Sequence, residues 1–440
     1  MTTIPRVAEA MQTVLTTKAN EAASETGFVQ RKSKMDGASF AQTLVLGWLQ
    51  NPEATLEALT QTSAALGVTI TPQGLEQRFS ESAAQFLQKV LEEAVNQVIT
   101  AEPVAIPILQ RFTAVYLDDS TTVTLPQELA DCWSGSGHAD PESCAGLKLQ
   151  VRLEYVQGTL HGPFLQDGRS HDRKSVLQQM PVAAHSLRIA DLGYWSLDAL
   201  KEHARQDGYW LFRAHVQTKL YTQDGRIWSL VELLQSIPDA EIDIPVQLGV
   251  QARVPARLLA MRVGQEVADK RRRALRKEAR RKGQAVSKDR LALADWNIFV
   301  TSVPVELLTV REAIVLARVR WQIELLFKLW KSQGQIDEWR SCKPWRILCE
   351  VYAKLIAMVI QHWLLLLSCW HFPDRSLVKA STTVRNHAIT LTCSIASTQA
   401  LSSAIETLQR CLSVGCRINK RKDQQHTYQL LLGLDDGGLA

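Results

Sequence analysis

At 440 residues, with 46% hydrophobic and 22% charged residues, the chain has room for about two to four domains and a large buried core, which excludes a disordered or fibrous protein. A net charge of +5 is too small to argue for nucleic acid by itself, so local clustering has to carry that case. Eight cysteines without a paired metal spacing, and no apolar export signal at the start, predict reduced thiols and a cytoplasmic protein.

Residues 1–107 read as helical. The string NPEATLEALTQTSAALGVTITPQGLEQRFS (51–80) predicts a helix, a break at Gly67, and a second helix with Thr71 as N-cap and Pro72 in its first position. That is a helix-turn-helix outline in which Gln73, Gln77 and Arg78 would face DNA from the second helix; a plain helical bundle fits the same pattern. From Arg111 the texture becomes strand-like. FTAVYLDDSTTVTLP is rich in β-branched and aromatic residues, and its adjacent acids Asp118 and Asp119 either turn, with Ser120 capping, or bind something.

LKLQVRLEYVQGTL (147–160) alternates as a strand that turns at Gly158 and pairs with the next. LRIADLGYWSLDALKEHARQDGYWLFRAH then predicts a strand running to Asp191, a turn at Gly193, an amphipathic helix and a further strand. An acid at the carboxyl end of a buried strand sits where open α/β sheets bind ligands; a helix cap is the plainer explanation. Residues 216–299 hold strand-like runs and then KRRRALRKEARRK, Lys270 to Lys282, in which nine of thirteen positions are Lys or Arg. Such a run is usually a solvated face, but an internal, one-signed one also fits phosphate contact through Lys270, Arg271, Arg272, Arg273 and Arg276. ADWNIFVTSVPVE follows, a strand beginning with Trp296, a residue type more often core than site.

VREAIVLARVRWQIELLFKLWKSQ (310–333) predicts one amphipathic helix with Val315, Leu316, Val319, Ile323, Leu326 and Trp330 on its apolar face. The same wheel gathers Arg320, Glu324 and Lys331 into a stripe roughly 40° wide at the border of that face. An i, i+4 salt bridge worth a few tenths of a kcal/mol would explain Arg320 and Glu324 alone. Leu355 to Cys369 reads as a buried helix, short of the roughly 20 residues that span a bilayer. RINKRK (417–422) is a weak basic signal, compatible with a DNA-end contact, a partner interface or a frayed tail.

The run RWQIELLFKLWKS resembles the catalytic segment of bacterial insertion-sequence transposases of the Asp-Asp-Glu type, specifically the insertion-sequence-four group with its signature Tyr-x2-Arg-x3-Glu-x6-Lys. Arg320, Glu324 and Lys331 fall on that spacing, and the Tyr position holds Ala317. Asp119-Ser120-Thr121 with Leu125-Pro126 is similar to the family's first acidic motif, and Asp191-Leu192-Gly193-Tyr194 to its second. The resemblance therefore implies Asp119, Asp191 and Glu324 as metal-binding catalytic carboxylates, with Asp118 the alternative to its neighbour. Trp296, in a strand followed by Thr-Ser-x-Pro, resembles the Trp that helps receive a flipped base in hairpin-forming members.

The implied fold is α/β: a ribonuclease H-like core in two pieces, 108–215 and 300–372, interrupted by a mainly β insertion with a basic helix, 216–299. A helical DNA-binding domain, 1–107, would precede it and a helical region, 373–440, follow. The resemblance also implies Mg²⁺, with Mn²⁺ able to substitute, and Arg320 and Lys331 holding phosphates. It implies double-stranded DNA as partner, both element ends and target, and a homodimer in the DNA complex. No membrane role is implied; the place of action would be the cytoplasm of a bacterium, at the nucleoid. The family reaction nicks with water to free a 3′-OH, which then attacks target DNA, in some members through a hairpin. Two other readings are a descendant that kept the fold and lost the chemistry, which Ala317 favours, and a stand-alone nuclease of the same fold.

Overall fold

The computed structural model describes residues 3–31, 33–136, 144–419 and 425–434. Ten strands lie among them, numbered in chain order: β1 Val115–Leu125, β2 Ala145–Glu154, β3 Leu160–Asp167, β4 Leu187–Ala190, β5 Tyr209–Arg213, β6 Leu220–Tyr221, β7 Ile227–Trp228, β8 Glu241–Leu248, β9 Val254–Arg262 and β10 Trp296–Thr301. With the helices they make a mixed α/β protein. Its residues fall into two compact units: Met1–Ala105, Asp119–Ser170 and Gln322–Asp423 in one; Ile106–Asp118, His171–Trp321 and Gln424–Ala440 in the other.

The first unit is built on the helix Pro344–Leu366, which starts at a proline and is buried at every position from Ile347 to Leu366. It is longer than the apolar stretch alone predicts, and by length and composition it could cross a membrane; here the protein itself covers it. The helices Gly37–Gln50 and Glu81–Val95 pack against it. Each begins at a capping side chain: the Asp36 carboxylate accepts from the Ser39 N–H at 2.8 Å and the Ser80 hydroxyl from the Ala83 N–H at 3.2 Å. The buried lysine of the long helix is satisfied from within. Lys354 pairs with Glu350 at 2.8 Å and donates to the carbonyls of Gln335 and Glu338, while burial pulls its pKa down.

Thr71 caps the next segment as its sequence predicts, its hydroxyl accepting from the Gly74 N–H at 3.1 Å, and Gly67 turns with φ +81°. The second helix nevertheless spans only Pro72–Glu76, because Ser80 starts a new helix four residues later. Gln77 and Arg78 lie beyond it, in the turn. Glu76 receives Arg346 at 2.7 Å and Lys343 at 2.8 Å, so the short helix is fastened to the start of the long one.

In this unit the sheet order is β3-β2-β1, with β2 and β3 an antiparallel hairpin. Gly158 turns the hairpin at φ +76°, and a Cβ there would meet Leu366 at 2.4 Å and the Trp370 ring at 2.6 Å. Both conformation and space demand glycine.

The second unit carries the order β1-β4-β5-β10-β9-β8-β6-β7, in which β1 contributes Val115 to Asp118. β1, β4 and β5 are parallel, and β10 is antiparallel to β5. The expected β-rich insertion is thus strung onto the same sheet through β10 and β9. Between β9 and β10 runs the basic helix Gln265–Arg281.

The stretch 310–333 is three pieces, not one helix: Val310–Leu316, a 3₁₀ turn Ala317–Arg320, and Trp321–Ser332. Neither Pro nor Gly marks the break. All six residues of the apolar face are buried as expected. Glu324 and Lys331 stay about 20° apart on one helix, whereas Arg320 closes the 3₁₀ turn before it.

Candidate functional site

β1 runs straight through both of its acids, so they point to opposite faces of the strand. Asp118 is fully buried, and Arg188 on the neighbouring β4 donates to it through Nε at 2.8 Å. A second nitrogen of Arg188 donates to Gln178 Oε1 at 2.9 Å. Asp119 is half-exposed, and its Oδ1 accepts the Ser120 N–H at 2.8 Å. In register Asp118 stands opposite Ala190. Asp119 and Asp191 are the residues that follow each of these in sequence.

Asp191 follows the last residue of β4, at the carboxyl end of a parallel strand, and is exposed. It occupies the N-cap position of the turn Leu192–Tyr194, yet its carboxylate makes no cap hydrogen bond. It opens onto a cleft of about 540 Å³ that Arg213, Arg271, Arg318 and Arg320 also line. Four arginines to one acid give the lining of the cleft an excess of positive charge. Burial, and then the charge of Arg213, lower the pKa of Arg271.

Glu324 lies in the first turn of the helix Trp321–Ser332 and is half-buried. Two turns on, Lys331 donates from Nζ to the Thr122 carbonyl of β1 at 3.0 Å and stands 3.7 Å from the Asp337 carboxylate. Among the described residues, no three His, Cys, Asp or Glu side chains are grouped closely enough to hold a metal ion.

The basic helix divides its charges. Arg271 turns inward and donates to the Trp296 carbonyl at 2.9 Å and to Asn297 Oδ1 at 2.6 Å. Arg272 pairs with Asp269 at 2.8 Å and with Asp295. Lys270, Arg273 and Arg276 are exposed. Trp296 is 9% exposed, with the Arg262 guanidinium 4.8 Å from its ring centre. One side of it borders a second cavity, of about 430 Å³, that also touches Arg213, Arg271 and Arg290.

Residues 111–360 match the family model described as "Transposase DDE domain". The chain belongs to the transposase DDE domain family. It is 25% identical over 445 residues to the transposase for insertion sequence element IS231F of Bacillus thuringiensis subsp. israelensis, covering 93% of this chain and 91% of that one. The transposase for element IS1151 of Clostridium perfringens is 24% identical, covering 78% and 76%. The putative transposase InsL for element IS186A of Escherichia coli (strain K12) is 26% identical, covering 55% and 63%.

All three acids that the motifs single out, Asp119, Asp191 and Glu324, fall inside the transposase DDE match, as do Trp296, Arg320, Lys331 and the basic helix. Gln73, Gln77 and Arg78 lie outside it. Gln73 is on the short helix, whereas Arg78 is partly buried, donates to the Met35 carbonyl at 3.4 Å, and has its pKa lowered by that burial. Of RINKRK, only residues 417–419 are described; 420–422 lie outside the described residues. Arg417 pairs with Asp374 at 3.1 Å.

Two cleft residues escaped the motifs. Arg213 ends β5, the parallel neighbour of β4, so the rule that pointed to Asp191 applies to it as well. Arg318 carries no such signal, because the 3₁₀ turn that positions it has no mark in the residues.

Proposed function

We propose that this chain is a DNA transposase that binds the ends of its insertion sequence, cleaves them and joins the freed 3′-OH ends to target DNA. The observation that carries the reading is Asp191, an exposed carboxylate at the end of a parallel strand in a cleft lined by four arginines. The sheet orders β3-β2-β1 and β1-β4-β5, with β1, β4 and β5 parallel, support a ribonuclease H-like core.

Asp119, Asp191 and Glu324 would hold Mg²⁺, or Mn²⁺ in its place. Their donors are all oxygen, and each acid reaches solvent, which suits a hard divalent cation. When bound, such ions stabilise charge on the entering and leaving oxygens of a phosphodiester. Asp118 serves the fold instead, since its pairing with Arg188 anchors β1 to β4.

Arg320 with Arg213 and Arg318 would hold the scissile strand in the cleft, and Lys331 would keep Glu324's helix against β1 while facing a phosphate. Trp296 would form one wall of the cavity that receives an unstacked base. Gln73 and the basic helix would add DNA contacts, two copies of the chain acting on one DNA complex at the bacterial nucleoid.

The test is cleavage of a duplex carrying the terminal repeats of the element that encodes the chain, with and without Mg²⁺. Cut ends that become joined to a second duplex support the reading. Cutting without joining makes the chain a nuclease, and DNA binding without cutting makes it a descendant that lost the chemistry.

A further inference from the structure

Helical geometry sets five cations of the Gln265–Arg281 helix on one side. At 100° per residue, Lys270, Arg273, Lys277, Arg280 and Arg281 fall within an arc of about 100° and extend over about 16 Å along the axis. All five are exposed. The opposite side carries Ala268, buried, and Arg271 and Arg272, whose guanidiniums are spent on Trp296, Asn297, Asp269 and Asp295.

Of the three acids of the helix, only Glu266, at its N-terminal end, falls on the ridge's face. Asp269 takes Arg272, and Glu278 takes Lys282 at 2.7 Å, which holds the Glu278 carboxyl below its usual range. Glu266 stands one turn before Lys270, in the helix's first turn. No Asn, Gln or aromatic side chain lies on the ridge between Lys270 and Arg281. Its side chains are thus all cationic, suited to phosphates along its whole length, and the amides that pair with adenine are absent.

We infer that this ridge is a sequence-independent docking surface for duplex DNA, and that Lys277, Arg280 and Arg281 belong to it while Arg271 and Arg272 are positioning residues that fix the helix to the start of β10. The inference rests on the transposase reading and deepens it. A surface of this kind fits target or flanking DNA, which has no fixed sequence, rather than the element's ends, which have to be recognised.

The test uses the full chain with Lys277→Gln, Arg280→Gln and Arg281→Gln combined, and a short random-sequence duplex as probe. Fluorescence anisotropy in EDTA, between about 50 and 200 mM salt, gives the slope of log affinity on log salt. Loss of three phosphate contacts lowers that slope by about three units, with an unchanged thermal melt. An unchanged slope in a folded variant overturns the inference. So does a loss seen only on a duplex bearing the element's terminal repeats, because that would make the ridge part of end recognition. Binding in EDTA needs no catalytic acid, so failure here leaves the cleavage assay to judge the transposase reading separately. Arg272→Gln separates the two classes of arginine: it lowers the melting temperature, whereas a melt unaltered by its loss overturns the positioning role.

Discussion

Arg188 donates to Asp118 at 2.8 Å with both side chains buried, while Asp119, the very next residue, keeps its carboxylate partly in solvent. Removing one partner of a buried pair costs about 3–5 kcal/mol, because the other charge is left uncompensated. Asp118→Ala should therefore lower the urea midpoint sharply and reduce soluble yield. Asp119→Ala should melt near the parent and lose cleavage outright. If Asp118→Ala folds normally and only Asp119→Ala unfolds the chain, the two roles are reversed.

Asp191→Asn and Glu324→Gln should each abolish Mg²⁺-dependent cleavage while keeping affinity for the element's ends, since the acids are assigned to metal and not to DNA. Gel-shift titrations run beside cleavage assays check this. Loss of binding and cleavage together would count against the assignment.

Arg213→Ala and Arg318→Ala should each weaken DNA binding, a charge-assisted hydrogen bond being worth about 1.5–3 kcal/mol, or roughly tenfold or more in affinity. The measurement is a competition titration on labelled ends. Affinity within twofold of the parent would place phosphate elsewhere than this cleft.

How far these sites were legible in the residues differs from one to the next. β4 followed by Asp191, the Gly158 turn and the Thr71 cap could all be read locally, because alternation, glycine and capping hydroxyls act within a few residues. The burial of Asp118 against Arg188 could not, since its partner is seventy residues away on another strand. The break at Ala317–Arg320 was invisible for another reason: its residues suit an α-helix as well as a 3₁₀ turn, and the apolar face stays buried through both. The division of the basic run into inward and outward arginines likewise needed the positions of Asp295 and Asn297.

Trp296 stands between packing and function. Trp296→Phe should keep most of the buried volume and spare nicking, but slow a hairpin step by up to about 1–3 kcal/mol of lost stacking. Denaturing gels of labelled ends report both steps. Equal slowing of nicking and hairpin formation, with a lowered melt, would mark the ring as core only.

His362 sets an acid limit on the fold. It is buried on the Pro344–Leu366 helix and donates from Nε2 to the Gly158 carbonyl at 2.6 Å; burial pushes its pKa down to about 4. The folded value lies below the unfolded one, so the imidazole's contribution is complete above about pH 6.5 and is lost as pH falls toward 4. The loss is on the order of 3 kcal/mol. Urea midpoints at several pH values should fall through that window in the parent and flatten there in His362→Gln. Parallel curves would locate the acid sensitivity in other groups.

The cover on the Pro344–Leu366 helix has a bearing on synthesis. Its packing partners, Gly37–Gln50 and Glu81–Val95, leave the ribosome some 250 to 300 residues earlier, so a stretch apolar enough for a bilayer emerges onto surfaces already made. Deleting residues 1–105 would thus remove the cover of this helix. The truncated chain would present a naked apolar helix to chaperones and to the membrane-insertion machinery, and aggregation or mislocalisation would be the expected fate of a fragment cut to isolate the catalytic part.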